Sequence, residues 1–158
     1  MPATLRTAQS AFPTAPHRTP AGSTDADRAT LDDAVEVICP ATAEQLPVLR
    51  AIATSIALRA DADLDRVADL RLAVDEACSA LVRAAGPGEP LHCRFVRHAD
   101  AVEVVVAVWS PCPTTPEDEL GTLLLASLTD RLATETQTLD DGYELRTSLL
   151  VGVRGARP

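Results

Sequence analysis

Asp69-Leu70-Arg71-Leu72-Ala73-Val74-Asp75-Glu76-Ala77-Cys78-Ser79-Ala80-Leu81-Val82-Arg83 is the stretch whose reading decides the fold. Val67, Leu70, Val74, Ala77, Cys78 and Leu81 recur at three- and four-residue steps, which predicts a long amphipathic helix with one apolar stripe. Asp65, Asp69 and Asp75 fall off that stripe. Glu76 lies at its border among small residues. A carboxylate there either sits half-buried beside a ligand or marks the edge of the solvated face, and the pattern alone leaves both readings open.

Working back from this helix, Asp63 is a candidate N-cap that follows the short acidic connector Asp61-Ala62-Asp63. An earlier helix runs to about Arg59. Its buried face carries Leu46, Leu49, Ile52, Ala53 and Ile56, and Arg50 points away from that face. Thr42 and Gln45 have capping-box spacing, while Pro47 falls in the first turns and can shift the start by a residue or two. Residues 31–39 read as a half-buried strand through Val35, Val37 and Cys39, ended by Pro40.

Working forward, Gly86-Pro87-Gly88 is a strong helix stop. Residues 90–97 form a strand with Leu91, Cys93 and Phe95 on one face, and Ala99-Asp100 makes a tight turn. Residues 101–109 are the most strand-like run. Val102, Val104, Val106 and Val108 share one face, and Val105 and Ala107 make the other apolar too, as in a central strand. A proline-rich loop (110–116) leads into a helix predicted over 117–132, whose first turn holds Glu117, Asp118 and Glu119. Strands at 133–139 and 143–153 are joined through Asp140-Asp141-Gly142, a hairpin signal. This order predicts a two-layer α/β sandwich, with helices on one face of a mostly antiparallel sheet. No internal repeat is visible.

The chain has 158 residues, enough for one ordinary domain. Residues 1–30 are rich in Ala, Thr and Pro, show no sustained period and read as a disordered tail. The tail holds Asp25 and Asp27 against Arg6, Arg18 and Arg28. The domain from 31 to 158 therefore keeps 21 of the 23 acidic and 11 of the 14 basic residues, a balance of −10. Such a surface repels phosphate backbones and argues against direct nucleic-acid binding. Aromatic content is 3%, so the core is predicted to be aliphatic. No window reaches a membrane span and no signal peptide is evident, so the chain is expected to be cytoplasmic. Cys39, Cys78, Cys93 and Cys112 contain no Cys-x-x-Cys pair, and no metal site is expected. Free buried thiols and a redox-switching pair are both open readings. Asp61, Asp63 and Asp65 lack the Gly and terminal Glu of a calcium loop. His17, His92 and His98 have no neighbours arranged for nucleophilic catalysis. Trp109 reads as core rather than as a stacking platform.

Val74-Asp75-Glu76-Ala77-Cys78-Ser79-Ala80 resembles the first ATP-site motif of the GHKL ATPases, in the form found in anti-sigma-factor serine kinases of the RsbW type. The element order over 31–153 is that of the same fold. In that family the helix carries Glu-x-x-x-Asn: the Glu orients water or the attacking hydroxyl, and the Asn helps hold magnesium on the phosphates. The resemblance implies Glu76 as the catalytic residue. It places Ala80, which has no side-chain oxygen, at the Asn position. The family's Asp-x-Gly-x-Gly, which reads adenine, corresponds to Trp109-Ser110-Pro111-Cys112-Pro113, without the Asp or either Gly. Its second glycine motif corresponds to Glu119-Leu120-Gly121-Thr122, where one Gly survives and the acidic helix start competes with phosphate. The nucleotide contacts implied by the resemblance are thus Glu76, Ala80, Ser110, Gly121 and Thr122.

In the relatives, an Arg on the first helix contacts the sigma factor or its competitor. Arg50 matches it, and a plain solvated Arg is the alternative. The resemblance implies an anti-sigma factor that sequesters an alternative sigma factor and is released by a STAS-domain anti-anti-sigma factor. Binding of ATP and magnesium is weak or lost in this reading, and homodimerisation is an option. An active serine-protein kinase that phosphorylates the antagonist is the runner-up, and a redox-regulated scaffold is the third reading. Because residues 1–30 cannot bury enough apolar area to order themselves, a chain beginning at Leu31 is expected to melt at the full-length midpoint. Calorimetry of the two lengths checks this, and a large loss in the shorter chain contradicts it.

Overall fold

The computed structural model describes residues 34–114 and 119–154. The expected tail, residues 31–33 of the first strand, and Glu117 and Asp118 lie outside the described residues. Helix α2 (Leu64–Ala84) occupies the stretch that decides the fold. The Asp63 carboxylate accepts a hydrogen bond from the Arg66 N–H at 2.9 Å, so the expected N-cap is formed. Leu70, Ala73, Val74, Ala77, Cys78 and Leu81 are buried along one side. At the other end the chain leaves α2 through Gly86, whose N–H donates to the Trp109 carbonyl at 3.0 Å.

The other elements are β1 (Ala34–Pro40), α1 (Leu46–Arg59), β2 (Pro90–Arg97), β3 (Ala101–Ser110), α3 (Glu119–Leu128), β4 (Arg131–Leu139) and β5 (Gly142–Gly152). The strands form one sheet in the order β1-β2-β3-β5-β4, and every neighbouring pair is antiparallel. β3 is central, as its apolar faces predict. Val102, Val104, Val106 and Val108 pair across β5 with Val151, Leu149, Thr147 and Leu145, and all eight are buried on the helix side. Ala107 on the opposite face is buried as well. Phe95, Leu91 and Cys93 of β2 complete the core under α1 and α2.

Three local expectations are corrected. Thr42 makes no side-chain cap; residues Ala43–Gln45 form a 3-10 turn, and α1 starts at Leu46 with Pro47 in its first turn. That position suits proline, because its missing N–H would have no intrahelical acceptor. The third helix stops at Leu128 instead of 132. The Thr129 hydroxyl bonds back to the Leu125 carbonyl at 2.7 Å, and the Asp130 N–H donates to the Leu150 carbonyl at 2.9 Å. These bonds turn the chain into the sheet, so Leu132 faces Leu149 across β4 and β5. β4 accordingly begins at Arg131, two residues early.

Trp109 packs over two glycines. A Cβ on Gly86 would lie 2.3 Å from its ring, and one on Gly142 would lie 2.5 Å away. Trp109 is half-buried on the sheet face away from the helices and stands outside the core cluster, so the core reading is corrected: its ring covers the exit of α2 and the β4–β5 turn. Gly86→Ala is expected to cost about 1–3 kcal/mol by overpacking. In a Trp109→Leu background the same change should cost at least about 1 kcal/mol less. Urea unfolding of the four proteins measures the difference, and additive losses would refute the ring contact as the cause.

Candidate functional site

α2 has a second border, away from α1, and there the domain opens. A cavity of about 770 Å³ lies between α2, α3 and the β4–β5 end of the sheet. Glu76, Ala77, Ala80 and Leu81 of α2 form one wall. Gly121, Thr122 and Leu125 of α3 face them, and Thr134, Thr136, Leu145 and Thr147 line the sheet side. The Thr136 hydroxyl donates to the Pro113 carbonyl at 3.0 Å, fastening the proline-rich loop to β4.

The structure thus brings together four of the five residues singled out for a nucleotide: Glu76, Ala80, Gly121 and Thr122. Glu76 is half-buried, with its Oε1 4.0 Å from the Arg83 guanidinium. It borders the cavity. Ser110 is fully buried and is not among the lining residues; its hydroxyl accepts from the Cys112 N–H at 3.1 Å and closes the turn after β3. The sequence reading missed Thr134, Thr136, Arg146 and Thr147. A signal existed for Thr147, the single polar residue in the inward series Leu145, Thr147, Leu149, Val151. The β4 threonines look like ordinary strand formers in sequence.

The cavity's charges are unequal. Glu76, Glu119 and Glu135 line it against one guanidinium, Arg146, which is held by the Glu144 carboxylate at 2.7 Å. His92 lies on the opposite face of the sheet, where burial lowers its pKa and favours the neutral ring. His98 bonds Glu103 at 3.0 Å on that same side. Among the described residues no group of His, Cys, Asp and Glu is arranged to hold a metal ion.

Arg50 is not simply solvated. Its Nη1 lies 2.6 Å from the Asp75 carboxylate, joining α1 to α2 at the residue before Glu76. Both side chains remain partly exposed.

A helix with a border carboxylate, a crossing helix behind it and an antiparallel sheet below define an ATPase-type α/β sandwich. Residues 39–148 match the family described as Histidine kinase-like ATPase domain, and the chain belongs to that family. Within it, the chain is similar to RsbW proteins. It is 41% identical over 111 residues to anti-sigma-F factor RsbW of two Mycobacterium tuberculosis strains, CDC 1551/Oshkosh and H37Rv. The match spans 70% of this chain and 64% of the length of each relative. A crystal structure of RsbU and RsbW domains from the same species superposes with a TM-score of 0.54 at 14% identity. It covers 79% of this chain and 33% of that one, and supports the fold.

ATP with magnesium is the group this family implies, and the donor set here fits it poorly. Ala80, at the position the resemblance gives to the metal's helix ligand, has no side-chain oxygen. The acidic lining leaves a phosphate chain one cation that is already paired. Were a nucleotide bound, Glu76 and the Gly121-Thr122 helix start would border it, and the nucleotide would supply a transferable phosphoryl group.

The α1–α2 ion pair generates a prediction. Arg50→Ala and Asp75→Ala should each lower stability by about 0.5–1 kcal/mol, and the double variant by little more than either alone. Chemical denaturation of the cycle measures the coupling, and strict additivity would remove the pair as a link between the helices.

Proposed function

We propose that this chain is an anti-sigma factor that sequesters an alternative sigma factor through protein contacts and is released by a STAS-type antagonist. The observation that carries the reading is the 41% identity to anti-sigma-F factor RsbW, on a domain whose metal-ligand position is Ala80. A chain that keeps the fold without the metal ligand is expected to act by binding. The acidic domain suits the basic DNA-binding surfaces of a sigma factor, where opposite charge speeds encounter and favours register. α1 supplies the binding face, and Arg50, held out by Asp75, is its charged contact. This reading places the protein in the cytoplasm with its partners. The second reading, an ATP-dependent serine-protein kinase acting on the antagonist, is favoured by one observation: Glu76 faces the cavity.

Magnesium-dependent ATP binding is expected to be no tighter than roughly 100 μM, about 5.5 kcal/mol. Loss of the metal ligand and of the adenine hydrogen bond each removes on the order of 1–3 kcal/mol. Low-micromolar affinity by calorimetry would favour the kinase. The binding reading itself is tested by co-purification with each sigma factor and STAS protein of the source genome. Arg50→Glu should weaken the complex by about 2 kcal/mol. Asp75→Asn serves as the control for loss of the intramolecular pair, and Glu76→Ala should leave sigma binding nearly unchanged. Failure of every sigma factor and STAS domain to bind at micromolar concentration would end the proposal.

A further inference from the structure

The cavity between α2, α3 and the sheet is lined by acceptors, where a phosphate chain needs donors. Glu76 is half-buried on its α2 wall, and the Arg83 guanidinium stands 4.0 Å from Oε1, beyond hydrogen-bond reach. The carboxylate therefore keeps its capacity to accept. On the sheet side Thr147 is 6% exposed and stands opposite Thr134 in the β4–β5 ladder. Among the described residues the Thr147 hydroxyl has no hydrogen-bond partner, yet it is not sealed off from the cavity it lines. A hydroxyl placed so deep has given up most of its water without a replacement inside the chain, which points to a ligand donor.

The rest of the lining narrows the ligand class. Leu81, Leu125 and Leu145 give the cavity aliphatic walls, and no aromatic side chain lines it, so a flat base has nothing to stack on. Glu119, exposed at the start of α3, adds a second carboxylate at the rim. The volume of about 770 Å³ falls in the range of small-molecule sites.

We propose that this cavity binds a linear aliphatic polyamine. Its ammonium groups pair with Glu76 and Glu119, one N–H donates to Thr147, and its methylenes lie along the leucines. An ammonium carries three donors and no acceptor, which matches carboxylates and a hydroxyl, and its bonds to carboxylates are charge-assisted. The net charge of −9 draws such cations toward the protein. This site does not use Arg50 or the α1 face, so loss of sigma binding and loss of polyamine binding are separate outcomes.

Calorimetry of the full chain with spermidine tests the proposal. Binding is expected at one to one with a dissociation constant of about 50 μM at low ionic strength, and tighter than that of ATP with magnesium. Raising the salt to about 0.3 M should weaken it several-fold. Glu76→Gln should weaken it about tenfold and Thr147→Val about threefold. Glu44→Gln, an exposed acid outside the cavity, should leave it unchanged. n-Butylamine, with one ammonium, should bind at least about tenfold more weakly, since it can reach only one carboxylate. Amide NMR shifts of the natural chain, which need no variant to fold, should move at residues 76–81, 121–125 and 145–147 on titration with spermidine. Absence of saturable binding at millimolar spermidine, an equal loss in Glu44→Gln and Glu76→Gln, equal affinity for n-butylamine, or shifts confined to other surfaces would each overturn the proposal.

Discussion

Close approach along α2 is the constraint on which the rest of the domain depends. Ala73, Ala77 and Cys78 have no measurable exposure, and none of them carries more than one heavy atom beyond Cβ. Small side chains let the helix descend onto β2, β3 and β5 while α1 packs along its flank. Larger residues there would lift the helix, part the valines of β3 from their cover and separate Arg50 from Asp75. Packing and ion pair are thus consequences of one seam, and density of this kind leaves little room for independent adjustment.

The cavity arises because α2 is broader than its cover. α1 shields one flank, and α3 covers the other only in part, since Gly121 and Leu125 are its buried residues. What remains is an apolar base bordered by hydroxyls and carboxylates. The inherited architecture is that of a nucleotide fold. Glu76, Glu119 and Glu135 among the lining residues would repel a phosphate group at short range. A fold hosts many chemistries, and activity is carried by the side chains of the site.

Much of this was legible in the sequence because periodicity reports burial directly. The stripe of α2, the alternating valines of β3 and the Asp140-Asp141-Gly142 turn each specify one local structure with little competition. Glu76 and Ala80 could be placed because they lie on a regular helix one turn apart. Misreadings cluster where local signals conflict with tertiary demand. Thr42 has capping spacing, yet the chain uses backbone bonds there, and Leu132 continues a helical period but is needed opposite Leu149. Arg50 was assigned to the right face, while its tie to Asp75 depends on how two helices cross, which no single-helix pattern encodes. That Cys39 and Cys93 are diagonal neighbours depends on strand register as well, and spacing along the chain carries no trace of it.

β4 gives the cavity an uneven wall. Its threonines are exposed, Leu132 and Leu139 alone among its residues are partly shielded, and its ladder runs to β5 on one side only. The opposite wall, α2, is anchored in the densest part of the molecule. Local opening begins in the least protected unit, and among the walls of the cavity that is the edge strand β4. The domain behaves as a fixed jaw and a compliant one, and a partner that adds a strand to the free edge of β4 would stiffen the compliant side without touching the contents.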